Sequence, residues 1–243
     1  MSNLFNILFK VSFSFLLGFL MFSCVELDEN NEGGYSELKI NLTAAASSSD
    51  LDDAIYVGGL QIDDFELGLS DLSVSYLSEA GINAGLDRME SHTFIDQYGN
   101  PSGSFLKLIE DGKLRSNLLG KEKTPNGLYQ EVIFHLEKKS SAITSHSLKL
   151  EGVFEGKELK IWTANEEWLK AKSVNTNAYA IYSQSALTLV FEVEKLFENI
   201  EMSSAMDGNN DGIIQIGPNN EDGNQAIFLA FDQNLQKALQ LRK

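Results

Sequence analysis

Apolar and polar residues alternate in several segments of the chain between residues 36 and 193. Because successive side chains of a strand point to opposite faces, each such segment predicts a strand with one buried face. The predicted buried positions are Leu38, Ile40 and Leu42; Phe65, Leu67 and Leu69; Leu72, Val74 and Tyr76; Gln130, Val132, Phe134 and Leu136; Leu148, Leu150, Gly152 and Phe154; and Leu187, Leu189, Phe191 and Val193. Period two at short spacing predicts a mainly β fold, an antiparallel β-sandwich.

Two local signals refine these strands. The apolar positions change from odd to even numbers between Leu69 and Leu72, which predicts a bulge or turn near Ser70 and Asp71. The sequence EGK (155–157) separates two alternating runs, which predicts a hairpin over residues 147–163.

Two regions have a different pattern. Residues 224–243 carry apolar side chains four apart and end in cations, which predicts an amphipathic C-terminal helix that packs on the sheet. Its apolar positions are Ile227, Phe231, Leu235 and Leu239. Residues 195–202 predict a helical turn. The polar segment 83–104 predicts a long loop, or a helix and a loop, inserted at one end of the sandwich.

The first 23 residues are mostly apolar, and Lys10 is their only charge. A short apolar core behind a positive charge is typical of a secretory signal. The run ends in Met21-Phe22-Ser23-Cys24, and Cys24 is the only cysteine of the chain, so it has no disulfide partner within it. This stretch resembles the lipobox of bacterial lipoproteins. The resemblance implies that Cys24 is lipidated and becomes the first mature residue. The alternative is a signal peptide or membrane anchor with an incidental cysteine.

Residues 24–34 predict a flexible acidic tether, with Glu26, Asp28, Glu29 and Glu32 and no basic residue. The tether resembles the export signal that follows the lipidated cysteine in surface lipoproteins of Bacteroidetes. That resemblance implies an exported outer-membrane lipoprotein, displayed outward. Residues 35–243 are then expected to form a single β-sandwich domain, and no later segment is long and apolar enough to cross a membrane.

The chain carries 35 acidic and 19 basic residues, a formal net charge of −16. Such a protein repels nucleic-acid phosphates, so a nucleic-acid partner is not expected. Cation binding, or solubility alone, agrees better with this charge.

The order of the elements after residue 127 resembles that of uncharacterised Bacteroidetes lipoproteins with a β-sandwich domain of unknown function. Some of these carry a G-x-Y-x-x-[IV] strand, represented here by Gly127, Tyr129 and Val132. The resemblance covers about half of the chain and implies a surface binding or assembly module. It carries over no catalytic residue.

The stretch MDGNNDGIIQIGPNNEDGN (206–224) holds the clearest candidate chemistry. Its spacing matches the start of an EF-hand-like calcium loop, with Gly212 at the sharp turn. The candidate ligands are the side chains of Asp207, Asn209 and Asp211 and the carbonyl of Ile213. Pro218 stands where a bidentate Glu is needed, and Glu221 or Asp222 would replace it only if the loop folds back. The alternative is a surface turn rich in Asx and Gly residues.

The remaining candidates are weaker. Trp162 and Trp168 would form a platform on which sugars stack, unless they are core or interface residues. A copper site would need histidines from separate segments, and these are His92, His135 and His146. The chain has no G-x-S-x-G, no H-E-x-x-H and no glycine-rich phosphate loop, so an enzyme is not expected.

The sequence therefore favours a membrane-anchored, non-enzymatic module that binds or assembles with other surface proteins or glycans. The alternative is a carbohydrate- or metal-binding lipoprotein of an uptake or adhesion system, with calcium favoured over copper.

Overall fold

The computed structural model describes residues 34–47, 54–78, 83–86, 105–139, 145–174 and 178–243. Residues Gly34–Lys243 form one compact unit. The predicted signal peptide, Cys24 and residues 25–33 of the predicted tether lie outside the described residues.

The described chain is mainly β, with a helix near its C-terminus, as the alternation predicts. Its strands are β1 Tyr35–Ala45, β2 Ile55–Val57, β3 Leu60–Ser78, β4 Asn83–Leu86, β5 Phe105–Glu110, β6 Lys113–Leu114, β7 Ser116–Pro125, β8 Gly127–Leu136, β9 Leu148–Phe154, β10 Lys157–Thr163, β11 Trp168–Lys172, β12 Tyr179–Ile181, β13 Ser185–Glu192, β14 Ile213–Ile216 and β15 Leu239–Arg242. Its helices are α1 Val193–Leu196 and α2 Gln225–Ala238, with 3₁₀ turns at Met202–Ser204 and Glu221–Gly223.

The strands form two sheets. The short sheet has the order β15-β13-β1-β7, and the long sheet has the order β11-β8-β3-β9-β10-β14. Five further strands extend the long sheet: β12 pairs with β8, β2, β4 and β5 pair with β3, and β6 pairs with β5. Most neighbours are antiparallel, but β1 with β13 and β10 with β14 are parallel. Each sheet is therefore mixed, since it contains one parallel pair among antiparallel neighbours.

The centre of the long sheet is β3, which pairs with β2, β4, β5, β8 and β9. Its pairing with β8 shifts register between Ser70 and Ser73, and Asp71 has a left-handed φ of 51°. Leu69 and Leu72 are both buried on either side of this shift. The bulge predicted from the change of phase is confirmed.

The two sheets pack face to face around one apolar core. Phe65 of the long sheet meets Phe191 of the short sheet edge to face, with ring centroids 5.6 Å apart. The alternating faces predicted for β1, β3, β9 and β13 are all buried, and the hairpin of β9 and β10 is also present. Burial of these faces is the main favourable contribution to folding.

One predicted face is wrong at its first position. Tyr129, and not Gln130, occupies the buried face of β8, because the pairing with β3 shifts register between Ser75 and Tyr76. The Tyr129 hydroxyl donates to the Pro125 carbonyl at 2.6 Å, and its ring stacks on Tyr76 with centroids 5.0 Å apart. Burial raises the pKa of Tyr129 to about 12.

The C-terminal helix is present, but it is shorter than predicted. Helix α2 buries Ile227, Phe231 and Leu235 and ends at Ala238. Leu239 then begins β15, which pairs antiparallel with β13. The four residues of β15 alternate between buried and more exposed positions, as the residues of a strand at the edge of a sheet do.

The predicted insertion over 83–104 begins as a strand, since Asn83–Leu86 pairs with β3. Its remaining residues lie outside the described part of the chain. Among the residues that are described, no helix has the length and hydropathy needed to cross a membrane.

A side chain of α2 covers the edge of β11. The amide of Gln236 accepts from the Lys170 N–H at 3.0 Å and donates to the Lys170 carbonyl at 2.7 Å. These two hydrogen bonds match the pair that a residue of a neighbouring antiparallel strand would form with Lys170. Close by, the Tyr179 hydroxyl donates to the Leu241 carbonyl at 3.0 Å, so β12 is joined to β15 of the other sheet.

We expect Gln236→Ala to lower the free energy of unfolding by about 1 kcal/mol, because two backbone groups of Lys170 lose their partners. Gln233 lies one turn earlier on the exposed side of α2, so Gln233→Ala makes the same change of helix propensity without touching β11. Urea unfolding of both variants measures the difference. Equal stability of the two variants would contradict a role for the Gln236 amide.

Candidate functional site

The loop predicted to bind calcium runs from Met206 to Asn224 and contains β14. Asn224 closes it: this side chain is 3% exposed, accepts from the Met206 N–H at 3.0 Å and donates to the Met206 and Gln215 carbonyls, each at 2.8 Å. One buried amide therefore ties the start of the loop, its central strand and the beginning of α2 together.

Asp207 organises the first half of this loop. Its carboxylate accepts from the N–H groups of Asp211 and Gly212, each at 3.1 Å. The Lys157 ammonium donates to it at 2.9 Å. The hydrogen bond from Lys157 is the main cause that holds the pKa of Asp207 below its usual range. Gly212 has a φ of 90°, so the turn expected at that position is present.

The other predicted ligands also bond to the loop itself. Asn209 accepts from the Asp211 N–H at 2.8 Å, and Asp211 accepts from the Ile213 N–H at 2.9 Å. Asp222 folds back, as its proposed ligand role requires, but accepts from the N–H groups of Asn209 at 3.3 Å and Gln215 at 2.8 Å. The structure thus brings the predicted residues into one loop, where their oxygens satisfy backbone donors.

An open depression lies beside this loop, lined by Met206, Asn209, Gln215, Glu221 and Asp222 together with two glycines. Within the described ranges, no three His, Cys, Asp or Glu side chains are placed to hold a metal ion. The Glu221 carboxylate already accepts two hydrogen bonds from Asn219, one from the backbone N–H at 3.0 Å and one from the side-chain amide at 3.1 Å. Calcium binding at this loop stays a prediction.

The two tryptophans lie in different environments. Trp162 is 7% exposed, and a Cβ added at Gly217 would lie 2.5 Å from its indole ring. Trp168 is 53% exposed at the start of β11. A single exposed platform made of both rings is therefore not formed, although Trp168 alone presents a large aromatic surface.

The histidines are also dispersed. His135 lies on the outward side of β8, with its ring centroid 5.1 Å from that of Trp168. His146 is buried and bonds to Glu66. His92 lies outside the described residues. The two described histidines do not belong to a metal-ligating group of three or more in the part of the chain that is described.

An ion-pair cluster around Glu66 is a feature that the sequence did not indicate. His146 Nε2 lies 2.8 Å from one carboxylate oxygen of Glu66, and Lys149 Nζ lies 3.4 Å from the same oxygen. Lys139 Nζ lies 3.8 Å from the other oxygen. The Glu66 side chain is only 13% exposed. These contacts, chiefly the hydrogen bond with His146, lower the pKa of Glu66 to about 2.

Phe105 packs beside the cluster. Lys139 lies over the Phe105 ring at 5.2 Å, and the His146 ring meets it edge to face with centroids 6.3 Å apart. A Cβ added at Gly68 would lie 2.5 Å from the Phe105 ring, so only glycine allows this approach. Glu66 and His146 are 13% and 8% exposed, so their contact is largely shielded from water, which strengthens their attraction.

Next to this cluster, β11 and β8 present a row of outward side chains, here named the Trp168 face. It consists of Trp168, Lys170 and Lys172 on β11, paired in register with His135, Ile133 and Glu131 on β8. The three β11 side chains are exposed, whereas Leu169 and Ala171 between them are buried. The face is therefore the solvent side of the sheet at its edge.

Comparison with protein-family models, with curated proteins and with solved structures returned no match to this chain. The function is therefore inferred from the residues and their geometry.

We expect the Glu66 cluster to make the protein sensitive to acid. The folded pKa of about 2 lies below the ordinary value of 4.5, so the carboxylate contributes stability above pH 4.5 that is lost as the pH falls towards 2. Urea unfolding between pH 2 and 6 should show a weaker pH dependence for Glu66→Gln than for the wild type.

The control for this measurement is Glu158→Gln, because the Glu158 side chain is 53% exposed and its partner, Lys160, is partly exposed. This variant should keep the pH dependence of the wild type. If Glu66→Gln did so as well, the cluster would not stabilise the fold.

We expect calcium to raise the melting temperature through the Asp207 loop, with a Kd of about 10⁻⁴–10⁻³ M, since the site lacks a bidentate Glu. The rise should reverse with chelator and be abolished in Asp207→Ala with Asp211→Ala. Because the Lys157 ammonium already bonds Asp207, Lys157→Met should strengthen the response to calcium.

Lys160→Met is the matched control, since Lys160 bonds Glu158 and not the loop. Thermal unfolding at several millimolar calcium is the measurement. A wild-type melting temperature indifferent to calcium, together with an indifferent Lys157→Met variant, would identify the loop as a turn.

Proposed function

We propose that the protein is an exported bacterial lipoprotein, anchored through Cys24, whose β-sandwich domain binds other components at the cell surface and does not catalyse a reaction. The anchor is supported by the order of the sequence: an apolar run, a small residue, Cys24 and an acidic stretch. Two or three acyl chains on one cysteine hold a protein stably on a membrane that it does not span.

The beginning of the fold agrees with a tethered domain. The Gly34 carbonyl accepts from the Asn126 N–H at 2.7 Å, and the Ser36 hydroxyl donates to the Asn126 side chain at 2.7 Å. Residues 25–33 lie between Cys24 and this point. Nine residues reach at most about 30 Å, so a lipid at Cys24 would keep the domain near the membrane.

The observation that supports a binding role is the exposure of Trp168, which is 53%. A large aromatic ring on the solvent side of a sheet leaves apolar area in water, and Trp is enriched where proteins meet partners. The polar cluster at Asp232 of α2, by contrast, is satisfied internally, since Asp232 accepts from Thr163 at 2.9 Å and from the Asn165 amide at 2.7 and 2.8 Å.

The anchor is tested by expressing the full chain with Cys24→Ala in a bacterium that processes lipoproteins. The variant should incorporate no labelled palmitate and should accumulate as a soluble form or an uncleaved precursor. Ser23→Ala is the matched control, because it keeps a small residue before the cysteine and should still be lipidated. A processed, lipid-labelled Cys24→Ala protein in the membrane fraction would refute the anchor.

A further inference from the structure

Two exposed tyrosines lie at the same end of the domain. Tyr35 and Tyr182 are 61% and 54% exposed. Tyr35 pairs with Pro125, whereas Ile181, the residue before Tyr182, pairs with Gly127. Both tyrosines therefore flank the turn between β7 and β8. The part of the domain around this turn is here named the Tyr35 end, and it consists of residues 35–39, 75–78, 121–127 and 181–186.

The Tyr35 end is also where the domain joins the predicted tether. Tyr35 directly follows Gly34, whose carbonyl accepts from the Asn126 N–H at 2.7 Å. Only residues 25–33 separate Gly34 from Cys24. A flexible segment of this length has a root-mean-square extension of about 15–18 Å. A lipid on Cys24 would therefore hold the Tyr35 end close to the bilayer surface.

The rest of the domain extends away from this end along β3, which runs from Leu60 at the opposite end to Ser78 at the Tyr35 end. A strand rises about 3.3 Å per residue, so β3 is about 60 Å long. Leu60 pairs with Phe154, and Phe154 pairs with Lys157. Lys157 bonds Asp207, so the loop predicted to bind calcium lies at the far end. The tether thus brings one end of the domain, and not the other, to the bilayer.

The charges of the Tyr35 end do not oppose contact with zwitterionic headgroups. Its charged residues are Lys39, Lys121, Lys123, Glu37 and Glu122. Glu79 follows Ser78 in the sequence, so acidic and basic residues are then equal in number. The Asp207 loop at the far end, by contrast, has four acidic residues and no basic one. Because the tether is acidic as well, an anionic bilayer would repel the protein, and a zwitterionic bilayer is the partner that these charges favour.

We propose that the Tyr35 end docks on the zwitterionic surface of the bilayer that holds the lipid of Cys24, with the rings of Tyr35 and Tyr182 among the headgroups. A tyrosine suits this interface because its ring is apolar and its hydroxyl is polar. The contact needs little affinity of its own, since the anchor makes docking an intramolecular event. The proposal goes beyond the binding role proposed above and rests on the anchor at Cys24.

The experiment couples the chain from Cys24 to Lys243, which contains the compact unit Gly34–Lys243, to a maleimide lipid in phosphatidylcholine vesicles. Cys24 is the only cysteine, so the coupling is specific and needs no cellular processing. The reporter is Tyr182→Trp, and the vesicles contain phosphatidylcholine with brominated acyl chains, which quench a nearby indole. We expect the added indole to be quenched and its emission to shift to shorter wavelength. Adding Tyr35→Ser should reduce this quenching by roughly half, since one of two interfacial rings is lost.

Tyr56 provides the matched controls, because it is 53% exposed and lies at the far end, where it pairs with Gln61. The Tyr56→Trp reporter should not be quenched, and Tyr56→Ser should leave the quenching of Tyr182→Trp unchanged. The wild type should not be quenched either.

The native tryptophans support this expectation for the wild type. Trp168 pairs with His135, and His135 pairs with Ser70, which is about 26 Å from Ser78 along β3. Trp162 lies further still, since its partner Lys149 pairs with Glu66. Vesicles that also contain phosphatidylglycerol should quench Tyr182→Trp less at low salt than at high salt, because the acidic tether is then repelled. Thermal unfolding checks each variant, and Tyr35→Trp is the second reporter if Tyr182→Trp fails to fold.

The proposal is overturned if the reporters at Tyr182 and Tyr35 are quenched no more than the wild type, or if Tyr35→Ser leaves the quenching unchanged. It is also overturned if Tyr56→Trp or the native tryptophans are quenched equally, since the domain would then lie flat. Because the coupling replaces cellular lipidation, failure here is distinct from failure of the anchor. A chain that takes up palmitate at Cys24 but leaves the reporters unquenched would refute the docking alone.

Discussion

Backbone pairing along a single strand, β3, is the constraint on which the fold depends. Its 19 residues pair with five other strands, and its inward side chains are buried in the core. A strand of this length stays in one sheet only if both halves keep their apolar residues on the same side. The left-handed Asp71 achieves this, since it lets Leu69 and Leu72 both point inward. The outward side chains of the same strand then include Glu66 and, further along, Ser70, Ser73 and Ser75, which pair with the β8 residues of the Trp168 face.

The local part of the fold follows from the sequence because period two is a local property. The runs at Leu38 and Leu187 identify their buried faces directly. The parallel pairing that places these two strands side by side joins residues about 150 positions apart, and no local pattern encodes it. Leu239 has both a helical and a strand spacing to its neighbours, and the open edge of β13 decides in favour of the strand. Tyr129 takes the inward position for a similar reason, a register shift set by its partner strand.

The candidate sites could likewise be predicted only where their residues are close in sequence. The Asp207 loop was predicted from spacing because its residues are close in sequence, and even the return of Asp222 occurs. Spacing did not predict that Lys157, 50 residues earlier, bonds Asp207. Glu66 and His146 are 80 residues apart, so their contact exists only in the folded chain. Trp162 pairs with Lys149 on the outward side of the sheet, and it is buried because Gly217 of a loop about 55 residues later packs against its ring, which no local pattern encodes.

If the protein is anchored through Cys24 as proposed, many copies share one membrane, and the bonds of the Gln236 amide to β11 then have a consequence for association between copies. Anchored molecules diffuse in two dimensions and collide often, and an open strand edge would let sheets of neighbouring copies join. Asp222 and Asn224 bond the N–H and carbonyl of Gln215 on β14, at the opposite end of the long sheet. At these points, side chains of the same molecule occupy the backbone groups that a second copy would need. Crowding at the surface can then raise the local density of the protein without lengthening its sheets.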